Sequence, residues 1–249
     1  MSTYLLIAGS YHGGWCWSRV GRLLREAGHD VYTPTLTGLG DRAHLFRHDV
    51  GLETHVNDIV QVMHYEDLHD VTVVSHSYGG VVAGGAVDRM PDRFARAVYF
   101  DALVPRDGAS VIDLLPLEYG PYFTSRITAE GLIPLADDSL SRWGLDGDED
   151  LAWVRPRLTD QPAATFTDKL ALSVPVERAG PAPIYVHATV KPAADLVEST
   201  ARYARETPVW VYQEIAAPHD YMITHPRLTA DILLRLRGSD RSGPHPVRG

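Results

Sequence analysis

A serine between a predicted strand and a predicted helix is the first candidate for chemistry. Ser77 lies in the run Ser-His-Ser-Tyr-Gly, residues 75–79, directly after the apolar run of residues 71–74. Small residues two positions before and after a serine let a strand and a helix pass close together in a strained turn that exposes the hydroxyl. The free N–H groups of the helix also favour negative charge that develops there. The pattern predicts Ser77 as a nucleophile, with an N-cap serine at a strand end as the alternative.

A nucleophilic serine needs a general base, and the chain offers twelve histidines. His219 follows the last predicted strand in Ala-Ala-Pro-His-Asp and precedes the last predicted helix. This loop position, after the serine in chain order, is typical of the base in a Ser–His pair on such a topology. Most other histidines are expected to be solvated side chains on loops or helix surfaces, and these are His29, His44, His48, His55, His64, His69 and His245.

A glycine-rich loop after the first predicted strand could stabilise an oxyanion. The run Gly-Ser-Tyr-His-Gly-Gly, residues 9–14, can turn a backbone N–H toward the serine of a neighbouring strand. The backbone N–H groups of Ser10 and Tyr78 are therefore the predicted oxyanion donors. The glycines could also simply permit a turn before the next helix, and their spacing does not match the G-x-G-x-x-G dinucleotide motif.

Short apolar strands alternate with amphipathic helices along most of the chain. The predicted strands are residues 4–8, 30–32, 71–75, 97–101, 184–187 and 209–214. The predicted helices are residues 17–27, 53–68, 78–90 and 226–236. This order is typical of βαβ units, so we predict an α/β fold whose mostly parallel sheet is covered by helices on both faces.

Residues 104–183 interrupt this alternation and are rich in Pro, Gly and Asp. A structureless loop of about eighty residues is improbable in a compact domain. We therefore predict a cap or lid at residues 104–183, inserted into a core formed by residues 1–103 and 184–238. Residues 239–249 contain little apolar sequence, and we expect a disordered tail there.

Composition excludes several classes of protein. The 249 residues are 45% apolar and 22% charged, which is the balance of a soluble globular protein. The net charge of −9 argues against a nucleic-acid partner or an anionic membrane surface. No signal segment or membrane span is visible, and Cys16 is the only cysteine, so we expect a cytoplasmic protein. The sequence indicates no cofactor or metal site and no particular oligomeric state.

Five stretches carry a resemblance to a known family. They are residues 9–17, 28–42, 75–80, 98–105 and 219–222, and they follow the family's order over nearly the whole chain. The sequence resembles the α/β-hydrolases, in particular the subgroup of EstC-like esterases, plant methyl-ester esterases and hydroxynitrile lyases. The resemblance implies the α/β-hydrolase fold with a cap, Ser77 as nucleophile, His219 as base, and Ser10 and Tyr78 as oxyanion donors.

The sequence departs from the family pattern at three places. Ala8 replaces a histidine before Gly9, and Ser75 replaces the first glycine of the serine turn. The family's catalytic acid lies in the loop after the strand at residues 184–187, where this chain has Val190 and Lys191. Two carboxylates could take over, and these are Asp101, at the end of the strand after the serine helix, and Asp195. We rank Asp101 first because a strand end is the more rigid platform, and a Ser–His dyad without an acid is a third possibility.

These residues favour a serine-dependent hydrolase for a small to medium, mostly apolar carboxylic ester, acting through an acyl-enzyme. One alternative is a lyase or eliminating enzyme that uses His219 as its base. Cyanohydrin cleavage is disfavoured because Asp220 follows the base where the family's lyases carry a lysine. A ligand-binding sensor of the same fold is the other alternative.

Overall fold

The computed structural model describes residues 1–236, so the predicted tail at residues 239–249 lies outside the described residues. Eight strands form a six-stranded sheet, ordered β2-β1-β3-β4-β7-β8, and a two-stranded one, β5-β6. The strands are β1 Thr3–Ile7, β2 Asp30–Tyr32, β3 Val71–His76, β4 Phe94–Phe100, β5 Leu132–Ile133, β6 Gln161–Pro162, β7 Pro183–Ala188 and β8 Val211–Ile215. All neighbours in the large sheet are parallel.

Helices of very different length connect these strands. The α-helices are α1 Ser18–Glu26, α2 Leu52–Tyr65, α3 Gly79–Arg89, α4 Val111–Leu114, α5 Tyr119–Thr124, α6 Ser139–Arg142, α7 Asp148–Val154, α8 Ala164–Thr167, α9 Val176–Ala179, α10 Glu198–Glu206, α11 Tyr221–Thr224 and α12 Pro226–Leu236. Short 3-10 helices cover Gly14–Trp17, Gly40–Leu45, Pro91–Arg93 and Arg155–Arg157. No helix within residues 1–236 is both long and apolar enough to cross a lipid bilayer.

The large sheet separates two hydrophobic layers. Helices α2, α3 and α10 contribute to the core on one face, and α1, α11 and α12 contribute to the core on the other. The central strand β3 is β-branched over most of its length and buried at all six positions, which fits a strand covered on both faces. The predicted α/β-hydrolase fold with a mostly parallel sheet is confirmed.

The segment between β4 and β7, residues 101–182, is called the inserted segment below. It contains the small sheet and helices α4 to α9, of which the longest has seven residues. These short elements explain why the sequence showed only fragments of helical periodicity there.

Several elements of the main sheet region differ from the sequence prediction: β4 begins at Phe94 rather than at residue 97, and α2 ends at Tyr65 rather than at residue 68. Strand β8 begins at Val211 rather than Val209, because the Trp210 N–H closes a turn onto the Thr207 carbonyl at 3.0 Å. Helix α10 was not predicted. It buries small residues, Thr200, Ala201 and Ala204, and so lacks the large apolar side chains that made the other helices visible.

Candidate active site

The carboxyl ends of the parallel strands bring the candidate residues to one edge of the sheet. Ser10 follows β1, Ser77 follows β3, Asp101 follows β4, Lys191 follows β7 and His219 follows β8. Open α/β sheets bind ligands at this edge. Ser10, Ser77, Lys191 and His219 line a cleft of about 1100 Å³ that is partly open to solvent, while Asp101 is fully buried.

Ser77 occupies a strained turn between β3 and α3. Its φ of 51° is left-handed, a region that non-glycine residues rarely adopt. The turn is tight enough that a Cβ on Gly79 would lie 2.6 Å from the Ala8 carbonyl oxygen. Ser75, which replaces the family's first glycine, is buried and donates its hydroxyl to the Val98 carbonyl at 3.3 Å. A serine side chain is therefore accommodated at that position.

Asp101 lies against the imidazole of His219. The distance between His219 Nδ1 and Asp101 Oδ2 is 2.5 Å. Asp101 is fully buried, has a left-handed φ of 45°, and accepts a second hydrogen bond from the Ala188 N–H at 3.1 Å. With Nδ1 bonded to the carboxylate, the Nε2 nitrogen is the one left to exchange a proton, which is the arrangement of a general base held by an acid.

Lys191 contacts the same carboxylate. Its Nζ lies 2.8 Å from Asp101 Oδ1 and 2.6 Å from Oδ2. Burial by itself would raise the pKa of Asp101, but the hydrogen bond from His219 and the Lys191 charge outweigh it and hold that pKa below its ordinary value. Asp101 is therefore a carboxylate shared between two cationic partners when His219 is protonated.

Asp195, the second candidate acid, has other partners. It contacts His187 Nε2 at 3.0 Å, Lys191 Nζ at 3.2 Å and the Val197 N–H at 3.0 Å. Among the described residues, no hydrogen bond or ion pair joins Asp195 to His219. The structure thus brings Asp101, and not Asp195, to the candidate base.

The predicted oxyanion donors come from two loops, with Ser10 after β1 and Tyr78 directly after Ser77. Neither the Ser10 N–H nor the Tyr78 N–H donates to a protein acceptor within residues 1–236. The Ser10 carbonyl accepts a hydrogen bond from His12 Nδ1 at 2.7 Å, which fixes the orientation of the Ser10–Tyr11 peptide directly after the candidate donor. Two backbone N–H groups left free beside a nucleophile can stabilise an oxyanion.

A buried cluster of His12, His76 and Asp220 supports the loop that carries His219. Asp220 Oδ2 lies 3.3 Å from His12 Nε2, and Oδ1 lies 3.7 Å from His76 Nε2. Burial would lower the pKa of His12, but the Asp220 charge outweighs it and raises that pKa, which favours an ion pair between the two side chains. Burial, together with the charge of His219, lowers the pKa of His76 to about 3, so His76 is neutral.

His76 links three parts of the site. Its Nε2 donates to the His219 carbonyl at 3.1 Å, and its Nδ1 packs so closely on Gly9 that a Cβ there would lie 2.8 Å away. It also directly precedes Ser77. The sequence analysis missed His12, His76 and Asp220, although His12 stands in the glycine-rich loop and Asp220 next to the base.

The expectation that His55 is a solvated surface histidine was wrong. His55 is fully buried on α2, donates from Nε2 to the Thr37 carbonyl at 2.7 Å and accepts from the Tyr78 hydroxyl at 2.8 Å. Burial lowers its pKa to about 4, which keeps it neutral. His29 is also buried, at 6% exposure. Both lie on the polar-looking segments that composition alone assigned to the surface.

Among residues 1–236, two groups of side chains could offer metal ligands. In His76, His219 and Asp220, and in His187, Asp195 and Glu198, the donor atoms lie within 4.8 Å of one another. The His76 Nε2 proton already points to a carbonyl, and the Lys191 ammonium lies 3.2 Å from Asp195. These contacts suit hydrogen bonding better than metal ligation.

Comparison with known proteins gives the family. The model of the alpha/beta hydrolase family matches residues 4–232. A carbendazim-hydrolysing esterase from Nocardioides sp. (strain SG-4G) is 46% identical over 121 residues, which cover 49% of this chain and 50% of that protein. Methylesterase 9 of Arabidopsis thaliana is 32% identical over 106 residues, 42% of this chain and 41% of that protein. The matches thus span about half the length of these curated relatives, or less.

A solved structure extends the likeness to nearly the whole chain. An extracellular α/β-hydrolase from a Paenibacillus species superposes with a TM-score of 0.83 at 25% identity, covering 94% of this chain and 98% of that one. The resemblance to the subgroup of esterases and plant methylesterases is confirmed by these relatives. The chain belongs to the alpha/beta hydrolase family.

Proposed function

We propose that this chain is a carboxylic-ester hydrolase in which Ser77 is the nucleophile and His219 the general base. The observation that carries the proposal is the hydrogen bond of 2.5 Å between His219 Nδ1 and the buried Asp101 carboxylate, beside a serine in a strained turn. The relatives that are named as esterases support the same reaction class.

The proposed reaction has two steps. His219 Nε2 takes the Ser77 hydroxyl proton as Oγ attacks the ester carbonyl, and the N–H groups of Ser10 and Tyr78 stabilise the oxyanion. His219 then gives the proton to the departing alcohol, which leaves an acyl-Ser77. Water, deprotonated by His219, releases the acid and restores the serine. Throughout, Asp101 stabilises the imidazolium.

The cleft supports a substrate with an apolar portion. Tyr119, Tyr122, Phe123 and Trp143 of the inserted segment line it together with Phe166. Aromatic walls favour apolar acyl or alcohol groups of small to medium size. The role of residues 104–183 as a cap and the cytoplasmic location stay predictions.

Replacing the two reacting side chains tests the proposal. Ser77→Ala and His219→Ala should each lower turnover of p-nitrophenyl acetate by about 10³-fold or more with an unchanged circular dichroism spectrum. Ser139→Ala is the matched control, because Ser139 lines the same cleft outside the proposed machinery. A fluorophosphonate should label the peptide that contains Ser77. Labelling of another residue, or near-normal turnover in either variant, would contradict the proposal.

A further inference from the structure

One lysine and two arginines among the described residues line the cleft, and two of these three side chains have carboxylate partners. Lys191 contacts Asp101 as described above, and Arg142 Nε lies 2.7 Å from Asp138 Oδ2. Arg126 differs from both. Within residues 1–236, no carboxylate lies within ion-pair distance of its guanidinium.

Arg126 is held in place without being neutralised. Its Nη2 donates to the Pro134 carbonyl at 3.1 Å, and its Cζ lies 5.4 Å from the centre of the Tyr122 ring. Pro134 and Tyr122 also line the cleft. A guanidinium carries five N–H donors, so most of them are not used by the contacts that hold it.

Tyr11 lines the same cleft as this guanidinium. It follows the proposed oxyanion residue Ser10, and its amide donates to Gln161 Oε1 at 2.8 Å. Its hydroxyl has no hydrogen-bond partner among the described residues. Burial raises the pKa of Tyr11, and the Arg126 charge acts in the opposite direction, as a neighbouring cation does. The phenol is thus a neutral hydrogen-bond donor in the same cleft as a cation without a carboxylate partner.

Neither Asp138 nor Asp160 forms an ion pair with Arg126 within residues 1–236. Asp138 pairs with Arg142, and Asp160 accepts the Leu135 N–H at 3.1 Å. A partly buried guanidinium with no counter-ion favours a ligand that brings one, and a carboxylate matches its planar pair of donors. Apolar side chains of the cleft, among them Val111, Leu115 and Phe123, suit the chain that would join such a carboxylate to the reacting ester.

We propose that Arg126, with the Tyr11 hydroxyl, binds the free carboxylate of a monoester of a dicarboxylic acid. This inference rests on the proposed function and names its substrate class. The ester carbonyl reacts at Ser77 while the far carboxylate of the acyl chain forms the ion pair that Arg126 lacks. An ester without that charge leaves the guanidinium unpaired and gains less binding.

The test compares two probes of the same length, a monomethyl ester and the methyl ester of the matching half-amide, over the acids from succinic to suberic. For the wild-type protein, kcat/KM should favour the charged probe at its best chain length by at least about 10-fold. Arg126→Met should lower that charged-to-neutral ratio by about 10- to 100-fold, and Arg126→Lys should lower it less. Arg142→Met, the control, should change the ratio less than about twofold, because Arg142 already has Asp138 as its partner.

Adipate gives a second readout. It should inhibit hydrolysis of p-nitrophenyl acetate competitively in the wild-type protein and more weakly in Arg126→Met. Equal kcat/KM for the two probes in the wild-type protein would overturn the inference without any variant, even if Arg126→Met failed to fold. An equal loss with Arg142→Met would also overturn it. Absence of turnover with p-nitrophenyl acetate itself would instead refute the proposed hydrolase function, and the inference with it.

Discussion

Asp101 and Asp195 both contact the Lys191 ammonium, at 2.6 Å and 3.2 Å, yet their other hydrogen-bond partners differ. Asp101 is fully buried and also contacts the imidazole of His219. Asp195 contacts His187 and the N–H of Val197. Of these two neighbouring carboxylates, one contacts the proposed base and the other holds the loop after β7.

The difference arises from how each backbone is attached. The Asp101 N–H donates to the Val186 carbonyl at 2.8 Å, which ties the residue to β7 directly after β4 ends. Asp195 lies several residues beyond the end of β7, and its own carboxylate caps the chain at Val197. A catalytic acid must be held rigidly. The end of β4 provides this rigidity for Asp101. The carboxylate of Asp195 instead stabilises the conformation of its own loop.

The variant with the largest expected effect on this contrast is Asp101→Asn. An amide at position 101 favours the wrong imidazole tautomer and cannot stabilise the imidazolium, so kcat should fall by up to about 10⁴-fold with the fold preserved. Asp195→Asn is the matched control and should keep kcat within about threefold of wild type. Steady-state kinetics with p-nitrophenyl acetate measures both. A large loss in Asp195→Asn with a mild one in Asp101→Asn would reverse the two roles.

Lys191→Met sharpens the contrast through stability. The Lys191 ammonium lies 2.6 Å from the buried Asp101 carboxylate and helps to hold the pKa of Asp101 below its ordinary value. Removing the ammonium leaves that carboxylate with one partner fewer, so the free energy of unfolding near neutral pH should fall by about 3 kcal/mol. Lys169→Met, which replaces the chain's other lysine, should change it by less than about 1 kcal/mol. Urea unfolding measures both variants, and an equal loss in the two would mean that the contact with Asp101 is not what stabilises the fold.

The smallest expected effect concerns the stability that Asp195 provides. Burial by itself would raise the pKa of Asp195, but the His187 hydrogen bond and the Lys191 charge outweigh it and lower that pKa. The ionised group therefore stabilises the folded protein above its unfolded pKa of about 3.9, and this stability is lost as pH falls through the folded value. Asp195→Asn should lower the free energy of unfolding by about 1–2 kcal/mol near neutral pH.

Urea unfolding at several pH values checks this last prediction. The difference between wild type and Asp195→Asn should shrink as pH falls below about 4, because the unfolded wild-type chain then binds a proton at Asp195 that the folded protein takes up only at lower pH. Asp146→Asn, on an exposed residue of the inserted segment, is the control and should change stability little at any pH. A difference that is independent of pH would show that the charge of Asp195 does not contribute.

The sequence could predict the fold and the serine turn because both depend on local patterns. The alternation of short strands and helices indicated a parallel sheet, and the residues around Ser77 are contiguous. The choice between Asp101 and Asp195 depended on how the ends of β4 and β7 lie relative to His219, which no local pattern encodes. The cluster of His12, His76 and Asp220 joins three distant segments, so a local pattern could not predict it. The same holds for the burial of His55, which packs against Tyr78.

The side chain of His76 has a consequence for how the protein loses activity. His76 touches Gly9, precedes Ser77 and donates to the His219 carbonyl. It therefore couples the three loops that contain these residues, and we expect them to loosen together. Heat or denaturant that frees any one of these loops removes a contact that the other two share. Inactivation should therefore be a single cooperative step that coincides with unfolding of these three loops. A gradual decline in the rate of one chemical step is not expected.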